Sequence, residues 1–230
     1  MTMNTKNIFF LFIITLISPQ IFSQNNWTPK ESMKIKSVSQ TDISNDGKYV
    51  AYVVREAIME EKKSEYLSQI WVNNLATNEN FQYTFNLKSS ISPKFSPDGK
   101  KIAFLSSRSG KNQIWIMNTL GGEAKRLTDE KKGIRSIKWS PDGKKISFLK
   151  NDNDTEEEKK SKENKTDVIL VDKNFKYSHI YTYNFDEDSV FQITNGDFSV
   201  NNFDYSPDGK KIIFSHQEDT NINTGFVNTD

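Results

Sequence analysis

The chain offers few side chains that could carry out covalent chemistry. It has two histidines, His179 and His216, and no cysteine. A serine nucleophile needs a strained turn such as G-x-S-x-G, with a histidine and a carboxylate within reach. The nearest approach, Ser107-Arg108-Ser109-Gly110, lacks the first glycine and falls in a predicted hairpin turn. The sequence therefore predicts no catalytic residue, and we interpret both histidines as packing or hydrogen-bonding residues within strands.

Metal and phosphate sites are not predicted either. Two histidines without a cysteine make a poor set of zinc ligands. The stretch Asp42–Gly47 opens like an EF-hand loop, but its twelfth position is Val53 where a glutamate is required. The acidic residues within 152–158 have no glycine to arrange them around a cation, and Gly121-Gly122 opens a predicted strand, not the helix of a phosphate loop. We expect no cofactor and no metal.

A five-residue turn motif occurs four times in the sequence. In Ser96–Lys100, proline presets φ at the second turn position, Asp98 can accept bonds from nearby backbone amides, and Gly99 supplies the positive φ of a three-residue hairpin loop. Further copies stand at Ser44–Lys48, Ser140–Lys144 and Ser206–Lys210. The spacing is shortest between the second and third copies, because the other two intervals carry insertions. Each copy predicts a hairpin between two antiparallel strands.

Two more signals complete a four-stranded unit. An isoleucine before an aromatic residue marks the third strand at Ile70-Trp71, Ile114-Trp115 and Ile180-Tyr181. A fourth strand ending in threonine is predicted at 81–84, 125–128 and 190–194. Units of four strands that repeat about every 40–50 residues are typical of a β-propeller with WD-like repeats. Because four copies of one turn recur in register, we prefer this fold to a β-sandwich. The prediction is an all-β, incomplete β-propeller, with blades at about 35–87, 88–130, 131–195 and, incompletely, 196–230.

The N-terminal segment 1–23 predicts export. Lys6 precedes an apolar run from Ile8 to Ile17, and the small residue Ser23 ends the segment, as in a secretory signal peptide. The run is about half of the roughly 20 residues that a membrane span needs. We expect a periplasmic or secreted protein with no membrane span after cleavage of the signal at 1–23. A net charge of +1, with scattered lysine pairs and no basic stripe, argues against a nucleic-acid partner.

Two polar insertions interrupt the repeat. The run 151–165 contains no apolar residue and predicts a solvated excursion between the second and third strands of the third blade. A shorter excursion, Glu56–Glu65, occupies the same place in the first blade. Insertions at corresponding turns reach the same rim of a propeller. This rim is either a partner or substrate surface or a tolerated surface loop.

With these segments in this order, the chain resembles the N-terminal propeller of exported bacterial serine peptidases. The similarity is to the prolyl oligopeptidase family, in its dipeptidyl aminopeptidase/acylaminoacyl peptidase branch. It runs from Trp27 to about His216 and includes "SPKFSPDGKKIAFLSSRSGKNQIWIMNTLGGEAKRLT" and, after the charged insertion, "DVILVDKNFKYSHIYTY".

The resemblance implies a propeller of seven or eight blades that caps a C-terminal α/β-hydrolase domain and restricts access to peptides. The catalytic serine, aspartate and histidine of the family lie in that hydrolase domain, which has no counterpart in residues 24–230. Some members bind the free amino terminus of the substrate with a pair of propeller glutamates. Glu60-Glu61 and Glu156-Glu157 are the glutamate pairs here, but both lie in insertions and do not match that motif.

We therefore expect a propeller fragment of an exported serine peptidase that is not catalytic by itself, with a hydrolase domain and peptide substrates as partners. The alternatives are a stand-alone periplasmic binding module of propeller type, or a structural remnant without activity. Three blades and part of a fourth, ending at Asp230, leave a ring open. Since open blades expose apolar faces and bare strand edges, residues 24–230 alone are expected to associate or aggregate.

Overall fold

The computed structural model describes residues 28–60, 63–164 and 176–218. The predicted signal peptide and the end of the chain lie outside these ranges. A short helix, α1 (Pro29–Met33), belongs to a separate N-terminal unit that ends at Met33. Within the described residues, no helix has the length and apolar character that crossing a membrane requires.

The rest of the described chain forms successive antiparallel sheets. Blade 1 contains β1 (Ser37–Ile43), β2 (Tyr49–Glu60), β3 (Lys63–Asn74) and β4 (Glu79–Gln82). Blade 2 contains β5 (Ser90–Phe95), β6 (Lys101–Ser106), β7 (Gln113–Asn118) and β8 (Lys125–Arg126). Blade 3 contains β9 (Ile134–Trp139), β10 (Lys145–Asn151), β11 (Ser178–Asn184) and β12 (Ser189–Gln192), with α2 (Glu156–Glu163) between β10 and β11. A two-stranded sheet, blade 4, contains β13 (Ser199–Tyr205) and β14 (Ile212–Gln217).

Each blade is a meander in which neighbours in sequence pair with one another. The first strands β1, β5 and β9 contact one another in succession, so they lie at the inner edge of the array. This arrangement, four-stranded blades placed side by side with their first strands together, is that of a propeller. The predicted all-β, incomplete propeller is confirmed.

The repeated turns adopt the conformation that their residues predict. Gly47, Gly99, Gly143 and Gly209 all have φ between 68° and 71°, a left-handed conformation that side chains with a Cβ rarely adopt. In every copy the glycine N–H donates to the carbonyl of the turn's first serine, at 2.8–2.9 Å. The turn closes the hairpin between the first and second strands, but the loop has four residues and not the predicted three, because the serine N–H donates to the carbonyl five residues on, at 2.8–2.9 Å.

The inner strands carry a second irregularity that the sequence did not predict. Gln40, Ser92 and Ser136 have φ between 46° and 54°, and the strand register shifts beside each of them. A bulge of this kind bends the strand and increases its twist. The bulge recurs at the same distance from the turn, four positions before its serine, which identifies it as part of the repeat.

Packing between blades supplies the core. Ala51, Val53, Ile70 and Val72 of blade 1 pack with Ile102 and Phe104 of blade 2. A second cluster joins blades 2 and 3 around Ile114, Ile134, Ile146 and Phe148, and a third joins blade 3 to blade 4 around Ile180 and Phe203. Each junction between consecutive blades is thus an apolar layer between two sheets.

Two sequence predictions need correction. The fourth strands end earlier than predicted, because Thr84, Thr128 and Thr194 lie two positions beyond the ends of β4, β8 and β12. The Glu56–Glu65 excursion is not a loop, since β2 and β3 pair continuously out to Glu60 and Lys63. The longer insertion does leave the sheet, and it contains the helix α2. Both insertions connect a second strand to a third, at the rim opposite the repeated turns.

Candidate functional site

The repeated turns hold a network of serine and aspartate side chains. In the second copy, Ser96 Oγ donates to Asp98 Oδ1 at 2.6 Å, and the Lys100 N–H donates to the same oxygen at 3.1 Å. These bonds hold the pKa of Asp98 below its usual value, the serine hydroxyl being the larger cause. The same direction and causes apply to the pKa values of Asp46, Asp142 and Asp208. The bonds are local, so we assign these carboxylates to turn stability.

Consecutive turns also touch one another along their rim. Asn45 Nδ2 donates to the carbonyl of Pro97 at 2.9 Å. A Cβ on Gly143 would lie 3.6 Å from Pro97 Cδ, and one on Gly209 would lie 3.4 Å from Pro141 Cδ. The proline ring of one turn therefore rests against the glycine of the next, and these contacts link all four blades along this rim.

The threonines after the fourth strands fasten each blade to its third strand. Ile70, Ile114 and Ile180 donate their N–H groups to the hydroxyls of Thr84, Thr128 and Thr194, at 2.9–3.0 Å. In blades 1 and 2 the threonine hydroxyl donates onward to the glutamine before the isoleucine, Gln69 or Gln113, at 2.5 and 2.8 Å. We call this arrangement the threonine clasp.

His179 is the counterpart of those glutamines in blade 3. It is 2% exposed, and its Nδ1 lies 3.3 Å from Thr194 Oγ1. The Thr194 oxygen also accepts from the Ile180 N–H, and Nε2 of His179 lies 3.9 Å from Asp152 Oδ1. The geometry matches a hydrogen-bonding residue of the blade, as the sequence suggested.

A cluster of charged residues occupies the insertion rim between blades 2 and 3. Lys150 Nζ lies 2.5 Å from Glu130 Oε2 and 4.0 Å from the centre of the Tyr181 ring. The lysine side chain is 4% exposed and that of the glutamate 18%, so the lysine is buried and the glutamate partly buried. Burial is the main cause of a raised pKa at Tyr181, reinforced by the nearby carboxylates. The pairs Lys132–Asp154 and Lys176–Glu158, at 2.7 and 2.6 Å, lie on the same rim.

A groove runs between the outer edge of blade 1 and the face of blade 2. Two adjoining cavities of about 420 and 310 Å³ share Tyr83, Phe85, Met117 and Gly122. Phe85 is 76% exposed, and Leu87 and Leu120 are also largely exposed. Arg108 lines the smaller cavity and is the only cation among its lining residues, within the part of the chain that the structure describes. No sequence pattern indicated this groove, because it forms between residues distant along the chain.

The remaining sequence candidates take structural places. Ser107–Gly110 closes the β6–β7 hairpin, with the Gly110 N–H donating to the Ser107 carbonyl. His216, on β14, contacts the rings of Phe198 and Phe214. Glu156 and Glu157 lie exposed on α2, and Glu61 lies outside the described ranges. Across 28–60, 63–164 and 176–218 there is no group of three metal-ligating side chains.

Charged residues also join the inner strands. Asp42 accepts from Lys94 Nζ at 2.7 Å and from the Phe95 N–H at 2.8 Å. Lys138 and Asp204 form a comparable pair at 2.7 Å between blades 3 and 4. Each pair links consecutive blades at the inner edge. Asp42, which opens the EF-hand-like stretch, is thus engaged in holding blade 2.

Comparison with known proteins shows that this chain is similar to the propellers of peptidases. Residues 64–169 match the family described as Tricorn protease N-terminal beta propeller domain. A stretch of 83 residues, 36% of the chain, is 34% identical to the uncharacterized peptidase YuxL of Bacillus subtilis (strain 168), and spans 12% of that protein. The resemblance to the propeller portion of prolyl oligopeptidase-type peptidases is confirmed.

Solved structures show the same fold. The acylaminoacyl peptidase of Pyrococcus horikoshii aligns with 76% of this chain at a TM-score of 0.58 and 23% identity. The tricorn protease aligns with 77% at a TM-score of 0.52 and 14% identity. This chain covers 28% and 20% of those two proteins. It therefore corresponds to a propeller segment within much longer relatives.

Proposed function

We propose that this chain is the N-terminal propeller segment of an exported serine peptidase of the dipeptidyl or acylaminoacyl type. In that protein it limits access to a C-terminal α/β-hydrolase domain and provides a surface for it, and it does not hydrolyse peptides by itself. The observation that carries the proposal is the propeller match over residues 64–169, in a chain whose blades resemble the matching part of a peptidase. Export to the periplasm or medium is part of the proposal and depends on the N-terminal segment 1–23.

The inner-edge ion pairs support the filtering role. Asp42–Lys94 and Lys138–Asp204 each connect first strands of neighbouring blades. A propeller that excludes large substrates must keep its blades together, and contacts at the inner edge oppose their separation. Charged pairs at the inner edge also leave a polar surface, which suits the passage of a hydrated peptide backbone.

Activity labelling of the native protein tests the assignment to a peptidase. Antibodies raised against this chain would be used to isolate the native polypeptide, which is then treated with a fluorophosphonate probe for reactive serines. We expect a labelled polypeptide well above the 26.6 kDa of this chain, recovered from the periplasm or medium. An unlabelled polypeptide of this chain's own size that retains bound proteins would support a stand-alone binding module instead.

A substrate-length series tests the filter. In the native polypeptide, kcat/KM for peptides that share one cleavage site should fall as the peptide grows. Asp204→Asn should weaken that dependence on length, because it removes a link between blades 3 and 4. The matched control is Asp186→Asn, whose pair with Lys144 is exposed on both sides. An unchanged length dependence in Asp204→Asn would contradict the role of the inner-edge pairs.

A further inference from the structure

Blades 2 and 3 each place a cation over the aromatic residue of the third strand. In blade 3, Lys150 Nζ lies 4.0 Å from the centre of the Tyr181 ring. In blade 2, Arg108 Cζ lies 4.6 Å from the centre of the Trp115 ring and 5.4 Å from that of Phe104. Tyr181 and Trp115 occupy the same place, directly after the isoleucine of the threonine clasp. The two cation–aromatic stacks therefore lie at corresponding places, although Arg108 follows the second strand and Lys150 lies within it.

The preceding blade places one residue near each stack. For Lys150 it is Glu130, two positions after Thr128, and the Glu130 carbonyl accepts from Gln113 Nε2 at 2.9 Å. The residue two positions after Thr84 is Asn86, whose carbonyl accepts from Gln69 Nε2 at 2.6 Å. Asn86 and Arg108 line the same cavity. Asn86 thus takes the place of Glu130, and a neutral amide stands where the next junction has a carboxylate.

Arg108 is held in position without a carboxylate. Its Nε donates to Ser106 Oγ at 3.1 Å and its Nη2 to Ser90 Oγ at 3.2 Å, and both serines are fully buried. Burial lowers the pKa of Arg108, and among the described residues no acid offsets that effect. The Nε1 of the neighbouring Trp115 is buried and has no acceptor in the described part of the chain. The partly buried guanidinium of Arg108 has further N–H donors that favour a planar carboxylate.

The groove beside Arg108 defines the rest of the ligand. Tyr83, Phe85, Leu87 and Met117 line it, and its wider part continues past Phe81 and Leu120. Exposed apolar residues that rim an elongated groove are typical of binding sites for extended peptides. Apolar side chains of a peptide would cover these residues while Arg108 pairs with the charge of the peptide.

We propose that the groove between blades 1 and 2 binds an extended polypeptide segment in which an aspartate or glutamate side chain, flanked by apolar residues, pairs with Arg108. The ligand carboxylate supplies the negative charge that Glu130 supplies at the next junction. The surrounding groove residues select the apolar neighbours. This binding site does not depend on whether the chain serves a peptidase.

Fluorescence anisotropy with the full chain tests the proposal. The probe is a fluorescein-labelled, C-terminally amidated hexapeptide with one glutamate between leucine and phenylalanine, compared with its glutamine counterpart. We expect the glutamate peptide to bind about tenfold more tightly or better, the range for a charge-assisted hydrogen bond. Equal binding of the two peptides would overturn the proposal. A glutamine peptide with a free C-terminal carboxylate should bind weakly, and tight binding by it would overturn the assignment to a side chain.

Asn86→Glu separates loss of the site from loss of the fold. The new carboxylate should pair with Arg108, reduce binding of the glutamate peptide to that of the glutamine peptide, and raise the melting temperature. Arg108→Gln should reduce binding to the same level. Asn195→Glu, the same change in an exposed part of the corresponding loop after Thr194, is the matched control and should leave binding unchanged. Undiminished binding in Asn86→Glu would contradict the proposal.

Discussion

The junctions on either side of blade 2 are built from similar parts and differ in one charge. Both contain the threonine clasp, a buried apolar layer and a cation over a third-strand aromatic ring. Between blades 2 and 3 the buried cation Lys150 is neutralised by the partly buried Glu130. Between blades 1 and 2 the cation Arg108 faces Asn86 and an apolar groove. The repeat therefore forms a junction whether or not a carboxylate pairs with the cation. We call the junction with the Lys150–Glu130 pair closed and the junction without such a pair open.

The two junctions share the residues that stabilise each blade and differ in the residue beside the cation. The clasp satisfies a buried backbone N–H, so a blade without it would lose a hydrogen bond in its interior. The structure does not require a carboxylate beside the cation, because a solvent-facing cation can be hydrated or can bind a ligand. The residue at this position can therefore differ between junctions, and the function of the junction with it, while the threonine clasp is retained.

Removal of the carboxylate from the closed junction should have the largest effect. Glu130→Gln leaves Lys150 buried without its partner, and breaking a buried pair in this way costs about 3 kcal/mol or more. Urea titration followed by tryptophan fluorescence measures the loss. Asp129→Asn, next along the chain in an exposed pair with Arg126, should cost under about 0.5 kcal/mol. Equal costs for the two variants would show that Lys150 finds water or another partner.

Loss of the clasp should affect both junctions alike. Thr84→Val and Thr128→Val each leave a buried isoleucine N–H without its partner, which costs about 2 kcal/mol. The same titration measures both. His179→Gln keeps a hydrogen-bonding side chain at this place in blade 3 and should cost much less. A large difference between the two valine variants would contradict the equivalence of the clasps.

The repeat was accessible to sequence reasoning, whereas the junctions were not. Ser-Pro-Asp-Gly-Lys encodes its own turn, because proline, aspartate and glycine each restrict or stabilise the local backbone. The clasp threonines were visible as a recurring residue but were assigned to strands, since their role depends on a hydrogen bond to an N–H in another strand. Arg108 was passed over as part of a turn. Its neighbours Ser90 and Asn86 lie in an earlier part of the chain, and no local pattern connects them to it.

Removal of the cation should have a smaller effect on stability than loss of the clasp at the junction between blades 1 and 2, and a larger effect at the junction between blades 2 and 3. Arg108→Met deletes a partly buried charge that pairs with no acid among the described residues, so the free energy of unfolding should change by less than about 1 kcal/mol. Lys150→Met, by contrast, leaves Glu130 partly buried and unpaired and should be clearly destabilising. Melting temperatures of the two variants provide the measurement. A strongly destabilised Arg108→Met would mean that the arginine is needed for packing against Trp115.

The smallest effect should come from the turns that both junctions share. Ser96→Ala removes the main bond that lowers the pKa of Asp98, so that pKa should rise toward its usual value in an NMR titration. In the native protein the lowered pKa contributes stability above about pH 4, and this contribution is lost as the pH falls through the folded-state pKa. The variant should therefore lose less stability than the native chain on acidification. An unchanged Asp98 titration would contradict the role of the hydroxyl.

The proline–glycine contacts between consecutive turns have a consequence for how such a chain can grow. Asn45, Pro97 and Pro141 each touch the following turn, so a residue added within one turn would disturb its neighbour as well. The opposite rim carries the paired extension of blade 1 and the α2 helix of blade 3 without interrupting the sheets. The rim with the insertions therefore tolerates added residues, whereas the rim of the repeated turns does not. A foreign sequence placed at Ser109 should be accepted, and the same sequence placed at Asp98 should separate two blades.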